Sequence, residues 1–354
     1  MIDLLERTAE LVAVPSVSLD EARLAGRVEA ELRAIAGLEV ERVGDNVVAR
    51  TTLDRPLRVV LAGHLDTVPA NGNATPRIED DVLWGLGATD MKGGLAVMLE
   101  LARSVPTPAV DVTWVFYVGE EIASVHNGLG QLFRDRPDLV SGDVAVLGEP
   151  TGGAIEAGCQ GSSRVNVILH GQRAHSARPW MGRNAIHRAG RLLEILAAYE
   201  PRRPVLDGCE YREAIEAVAI EGGVAGNVVP DLVTVTVNLR VAPDRTSAEA
   251  VAGLRDMLGA VLEADDEVQV VDVAEGAAPA MTHPVLAALR DRNDLVVRAK
   301  LGWTDVARFA EAGIPAVNFG PGDSELAHSA DERVDRASLE ATYAALADLL
   351  QRGP

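Results

Sequence analysis

Leu61-Ala62-Gly63-His64-Leu65-Asp66-Thr67-Val68 is an apolar run that ends in a histidine and an aspartate two residues apart. Residues 57–62 read as a short buried strand bounded by Gly63. His64 and Asp66 therefore leave its carboxyl end, where open α/β sheets build their sites. Residues two apart on an extended chain point the same way, so Asp66 can accept from the free ring nitrogen of His64. That is the arrangement of a metal ligand with its orienting carboxylate. A histidine capping a loop beside a solvated aspartate is the other reading of this stretch, and the rest of the chain decides between them.

At 354 residues the chain exceeds the size at which one core usually stops growing, which predicts two domains. Hydrophobic residues make up 47% and charged residues 24%, ample for a core. No apolar run is long enough for a membrane span, and the first ten residues lack a charged-then-apolar leader pattern. A cytoplasmic protein is expected. The formal net charge is −20, and Lys92 and Lys300 are the sole lysines, which argues against nucleic acid or an anionic membrane as partner. Cys159 and Cys209 are read as free thiols, since such a core needs no bridge.

Helical spacing runs over residues 2–13 and 20–36. Strands and helices then alternate: strands over 46–51 and 57–62, a helix over 93–104, a strand over 112–118, a helix over 128–133 and a strand over 144–147. This predicts an α/β fold, a mainly parallel sheet flanked by helices. Near residue 160 the pattern changes. Residues 164–170 alternate, a helix spans 184–199, strands cover 217–221 and 231–241, a helix covers 247–262 and a strand covers 267–273. The order β-α-β-β-α-β is that of a ferredoxin-like α+β unit. The expected organisation is a catalytic domain of residues 1–160 and 274–354 with residues 161–273 inserted. From His283 the α/β pattern returns, with a strand over 316–319 and a closing helix over 336–351.

Further acidic or imidazole groups sit at first-domain strand ends or in loops beside them. Asp90 lies in Gly87-Ala-Thr-Asp-Met-Lys-Gly-Gly94, Glu120 and Glu121 follow Tyr117-Val-Gly, Glu149 follows Leu147-Gly, and His328 ends the loop that starts at Gly320. All can converge on one sheet edge. With His64 they offer two imidazoles and three carboxylates around a bridging aspartate, the ligand set of a two-metal hydrolytic site, with Zn²⁺ favoured by the imidazoles and Co²⁺ as the alternative. A water shared by two cations loses much of its proton affinity, and a carboxylate beside it but off the metals can take that proton to the leaving amine. Adjacent glutamates can split those two duties.

Gly-His-Leu-Asp-Thr-Val, Gly-Ala-Thr-Asp-Met-Lys-Gly-Gly, Gly-Glu-Glu, Gly-Glu-Pro-Thr and the late histidine resemble the dinuclear zinc aminoacylase and peptidase family M20, along the whole chain. Within it the resemblance is strongest to the desuccinylase branch of actinobacterial type. It implies that Asp90 bridges two metals, that His64 and Glu149 complete one site and Glu121 and His328 the other, and that Glu120 is the general base, with Asp66, the partner of His64, also among the catalytic residues. It also implies a cis peptide after Asp90. The implied reaction is hydrolysis of N-succinyl-L,L-2,6-diaminopimelate to succinate and L,L-diaminopimelate, in lysine and diaminopimelate biosynthesis. Acetylornithine deacetylase, aminoacylase, dipeptidase and carboxypeptidase chemistry are the alternatives within the family.

The resemblance further implies a homodimer held through the inserted domain, in which His175 reaches the other protomer's site to stabilise the carbonyl oxygen. Asn227, Arg240, Thr304 and Arg308 match substrate-contacting positions, and Ser162 is a further candidate substrate contact. Arg240 faces the polar side of its strand, which frees it for a carboxylate. One departure stands out. Many desuccinylases read Gly-Arg-Arg-Gly-Ser where this chain has Gly158-Cys-Gln-Gly-Ser162, and Arg178 is the candidate replacement for the missing arginine. No Gly-x-Ser-x-Gly elbow, phosphate loop or His-Glu-x-x-His helix occurs, and Gly85-Leu-Gly87 lacks the third glycine of a dinucleotide site. A peptide-binding scaffold on the same fold would be expected to lack some ligands or the base. This chain lacks none.

Overall fold

A computed structural model describes residues 3–354, so the expected helix start at residue 2 lies outside the described residues. The two opening helices form as Leu4–Val12 and Ala22–Arg33. Asp3 caps the first by accepting from the amides of Leu5 and Glu6 at 3.0 and 3.2 Å. Leu4, Leu5, Leu11 and Val12 on one helix and Leu24, Val28 and Leu32 on the other are buried, which is the 3.6-residue spacing put to use.

Contacts divide the chain into two compact units. The chain up to Ala157, with Pro279–Arg298 and Arg308–Pro354, forms one; Gly158–Ala278 with Ala299–Ala307 forms the other. Residues 299–307, expected in the catalytic part, thus group with the inserted part. The Gln160 amide donates to the Lys300 carbonyl at 3.1 Å, the Trp303 indole to the Glu275 carbonyl at 3.1 Å, and the Cys159 thiol to the Thr304 carbonyl at 3.8 Å. These bonds join stretches far apart in sequence, which no local pattern announces.

In the first unit an eight-stranded sheet runs Glu39–Val43, Asn46–Arg50, Asp111–Tyr117, Arg58–His64, Val144–Leu147, Ala316–Asn318, Ile155–Ala157 and Val297–Ala299. The four strands from Asp111–Tyr117 to Ala316–Asn318 are mutually parallel. Antiparallel pairs flank them, so the sheet is mixed with a parallel centre. Asp111–Tyr117 is buried along its whole length and Arg58–His64 at every residue after Arg58, as befits parallel strands covered on both faces. The Glu39–Val43 strand was not expected. It is half-exposed and charged, and a two-residue turn at Gly44-Asp45, with Gly44 at φ +61°, closes its hairpin onto Asn46–Arg50.

The second unit has a four-stranded antiparallel sheet in the order Ala214–Gly222, Leu232–Val241, Gly161–His170, Glu267–Ala274. Val165, Val167 and Leu169 on one strand and Val233, Val235, Val237, Leu239 and Val241 on its neighbour share a core with Ala189 and Leu192 of the Ala185–Ala197 helix and Leu254 and Leu258 of the Ser247–Leu258 helix. Thr246 and Glu249 form a reciprocal capping box at the start of the latter. The strand Ala214–Gly222 is an outer edge, with Val218 and Ile220 at least half exposed.

Close packing brings the Gly93–Ser104 helix onto the loop after Val144–Leu147. A Cβ on Gly94 would lie 2.3 Å from the Gly148 carbonyl oxygen, and a Cβ on Gly320 would meet the same oxygen at the same distance. Alanine is the better helix former by about 1 kcal/mol, yet a backbone carbonyl cannot swing aside as a side chain can. The steric term of about 1–3 kcal/mol or more should win. Gly94→Ala is therefore expected to lower stability, measured by urea denaturation; an unchanged or raised midpoint would show that the helix and loop can part.

Candidate metal centre

The four parallel strands end side by side, with His64 in register with Tyr117, Ala62 with Leu147, and Asn318 with Leu147. The loops that follow carry the polar groups. His64 is buried, and its Nδ1 donates to the Asp66 carbonyl oxygen at 3.0 Å while the Asp66 carboxylate is farther, at 3.5 Å. The expected pairing is modified: the backbone oxygen is the nearer acceptor for the ring, and the carboxylate stands beside it as an ion-pair partner while making further bonds. Asp66 Oδ1 accepts from the amide of Glu120 and Oδ2 from that of Glu121, both at 3.1 Å, and Oδ2 also accepts from the Ser18 hydroxyl at 2.9 Å. One fully buried carboxylate thus fixes the backbone of the Glu120-Glu121 pair. Gly119, at φ +70°, makes the turn that delivers those two amides.

Asp90 lies at the far side of the cluster, and the Asp90–Met91 peptide is cis. Its carboxylate sits between two imidazoles, with Oδ1 3.0 Å from His64 Nε2 and Oδ2 3.5 Å from His328 Nε2. His328 Nε2 also lies 2.8 Å from Glu121 Oε1. Ligand atoms of His64, Asp90 and Glu121 all lie within 4.8 Å of one another. Glu149 is buried just past the end of Val144–Leu147, close enough for its charge to act on His64. Carboxylates gathered this closely under low exposure demand cations, and an aspartate that offers one oxygen to each of two histidines suits a pair of them. The donor set therefore fits a two-metal group.

The charges in the cluster shift one another. Burial opposes ionisation of Asp66, yet the hydrogen bond and charge of His64, with the Glu121 and Glu120 amides, bring its carboxyl down to about 2. Asp90 is held far below the ordinary carboxylate range, against its burial, by the two histidines. His64, although buried, is raised well above its usual value by Asp66 and Asp90. The hydrogen bond to Asp90 raises His328 to about 9, against some desolvation and with help from Glu121. Burial raises Glu121, Asp90 adding to it while the histidines oppose it.

Two buried groups here escaped the sequence reading. Lys92 donates from Nζ to the Val14 carbonyl at 2.8 Å, and burial lowers it to about 8 with Glu332 opposing. Glu332 accepts from the amides of Thr89 and Asp90. Lys92 could have been suspected as one of two lysines next to a candidate ligand; Glu332 gives no signal in spacing or pattern.

The structure places Ser162, His175, Arg178, Asn227, Arg240 and Thr304 in the second unit and Arg308 in the first. His175 and Asn227 are neighbours: the Ser176 amide donates to the Asn227 carbonyl at 2.9 Å, and His175 bridges to Val228. The Ala177 amide donates to His175 Nδ1 at 3.0 Å, which puts the proton of a neutral ring on Nε2. Arg240 and Ser162 face each other across paired strands, both half-buried. Arg178 is exposed, as is the adjacent Trp180. Thr304 is buried, and Arg308 donates to the Ser124 hydroxyl at 2.8 Å.

Residues 60–352 match the model of peptidase family M20/M25/M40. A Mycobacterium tuberculosis protein assigned as the succinyl-diaminopimelate desuccinylase DapE is 52% identical over 99% of this chain and 97% of its own length. The succinyl-diaminopimelate desuccinylase of Corynebacterium glutamicum is 44% identical over 92% of this chain and 90% of its own length. Among solved structures, a tripeptidase from Staphylococcus aureus superposes with a TM-score of 0.81 at 22% identity, over 99% of this chain and 97% of that one.

The shift of His328 sets a pH dependence for protein stripped of metal by chelation. Its folded value, about 9, lies above the ordinary 6.5, so its stabilisation is complete below pH 6.5 and is lost as pH rises through 9. Urea midpoints of the stripped protein should fall across that window, and His328→Ala should flatten the fall. An identical profile in the variant would show that other groups govern it.

Proposed function

The chain belongs to peptidase family M20/M25/M40, and from that membership we propose that it is a metal-dependent amidohydrolase that splits N-succinyl-L,L-2,6-diaminopimelate into succinate and L,L-diaminopimelate. The observation that carries the reaction type is the Asp90 carboxylate shared between two histidines beside a clamped glutamate pair. The acyl group rests on the near-full-length identity to desuccinylases, which favours succinyl over the acetylornithine, aminoacylase and dipeptidase alternatives.

Asp90 would be shared by two cations, with His64 and Glu149 completing one site and Glu121 and His328 the other; zinc suits this donor set, and cobalt would also fit it. Bound cations would lower the proton affinity of the attacking water and polarise the amide carbonyl. Glu120, next to Glu121 and fixed through its backbone by Asp66, takes the proton from that water and delivers it to the leaving nitrogen. His175, with its proton on Nε2, is the donor for the carbonyl oxygen as charge develops there. Arg178, Arg240, Asn227, Ser162, Thr304 and Arg308 are the candidate substrate contacts.

We further propose a homodimer joined through the inserted unit, each His175 serving the other protomer. The open edge strand Ala214–Gly222, with Val218 and Ile220 exposed, supports it, since such an edge invites pairing. Among the described residues no helix is long and apolar enough to cross a membrane. A cytoplasmic role in lysine and diaminopimelate synthesis goes with the proposed substrate.

A panel of N-acyl amino acids tests the substrate: the succinyl compound should give the highest kcat/KM, and faster turnover of acetylornithine would overturn the assignment. Glu120→Gln should keep both ions by elemental analysis while kcat falls about 10²–10⁴-fold; near-normal turnover would remove the base role. Loss of a bidentate partner to a desolvated carboxylate costs about 1.5–3 kcal/mol. Arg178→Ala should then lower kcat/KM for the succinyl substrate by roughly ten- to a hundredfold, and for an acetylated analogue much less. Equal losses would show that Arg178 does not read the succinyl group.

A further inference from the structure

We infer that Glu332 is a positioning residue for one half of the metal centre, the half made by Asp90 Oδ2, Glu121 and His328. The inference rests on the two-cation reading above. Glu332 is 1% exposed, and its Oε1 accepts from two successive amides, Thr89 at 3.1 Å and Asp90 at 3.0 Å. The same segment grips the Asp90 loop twice more. The Gly85 amide donates to the Glu332 carbonyl at 3.0 Å, and the Thr89 hydroxyl to the Arg333 carbonyl at 2.7 Å. A buried carboxylate spent on backbone amides directly under a candidate ligand is the kind of support that fixes where the ligand points.

The link from Glu332 back to His328 is short and internally bonded. The Glu332 amide donates to the Ser329 carbonyl at 3.3 Å, and the Ser329 amide to the Leu326 carbonyl at 3.3 Å. Asn73 adds a bond from its side chain to the Ser329 carbonyl at 2.9 Å. His328 itself is held at φ +61°, a left-handed conformation that its loop must impose. Glu332 therefore ties the far end of the His328 loop to the backbone of Asp90, and the spacing between His328 and Asp90 depends on that tie. Asp90 serves both halves, but of the other ligands only His328 is carried by the tied loop: His64 ends a central strand, and Glu149 follows another. The support is asymmetric, and so should be the effect of removing it.

The test titrates Zn²⁺ against a competing chelator in the full-length protein and in Glu332→Ala, Glu332→Gln and Glu332→Asp. The unaltered chain should bind two ions. Glu332→Ala should keep one within about threefold and weaken the other by about 10–100-fold. Glutamine retains an accepting oxygen at the same reach, so Glu332→Gln should hold both ions within about threefold. Aspartate keeps the charge but withdraws the oxygen by one methylene, so Glu332→Asp should lose the second ion and supplies the answer if the alanine variant does not fold. Leu350→Ala, a buried substitution in the closing helix, controls for lost stability and should leave both affinities unchanged. Retention of both ions by the alanine or aspartate variant, equal loss of both, failure of glutamine to rescue, or a matching loss in the leucine control would each overturn the inference. An unaltered chain that takes up a single ion would overturn the two-cation reading and this inference with it.

Discussion

The Asp66 carboxylate, fully buried and committed to the amides of Glu120 and Glu121 and to the Ser18 hydroxyl, is the interaction on which the centre depends. A buried charge of this kind is tolerated when its hydrogen bonds are satisfied, and charged acceptors make the stronger bonds. It joins three separate stretches: the Ser18 link between the opening helices, the end of the Arg58–His64 strand, and the turn after Asp111–Tyr117. Its own backbone carbonyl turns the His64 ring. One residue thereby sets a ligand and the glutamate pair together.

The elements most legible in the sequence were those whose pattern is local. The helix expected over 93–104 forms over those residues, and the strand expected over 144–147 likewise. The alternating run near 231–241 could hardly be anything but half-buried sheet, and it forms over Leu232–Val241. The candidate ligands were legible because each follows a strand or precedes a helix, and parallel strands bring such positions to one edge. What stayed hidden depends on distant partners. Glu39–Val43 is too polar to read as a strand until its hairpin partner is known, although Gly44-Asp45 was an available turn signal. Residues 299–307 belong with the second unit through backbone bonds, and Glu332 matters through two amides more than two hundred positions away.

Close backbone approach is the other constraint. Gly94 and Gly320 both face the Gly148 carbonyl oxygen at a distance no Cβ could tolerate. The helix behind Asp90, the loop that carries Glu149 and the loop toward His328 are therefore pressed together at backbone level. Three ligand-bearing segments share one contact point, so an added methyl there would be felt at several ligands.

The position of the Ala316–Asn318 strand carries a consequence for how the protein is made. It lies in the sheet between Val144–Leu147 and Ile155–Ala157, yet the whole inserted unit separates it from them in the chain. As the chain leaves the ribosome, the four-stranded sheet of the inserted unit can be complete while the eight-stranded one still lacks an interior strand, and domains tend to fold as they emerge. The first unit closes only when its missing strand docks beside Val144–Leu147, and His328 lies in the loop beyond that strand. Vectorial synthesis thus makes the centre a late assembly, and a nascent chain stalled before this point would display an unpaired central edge while the four-stranded sheet of the inserted unit stands finished.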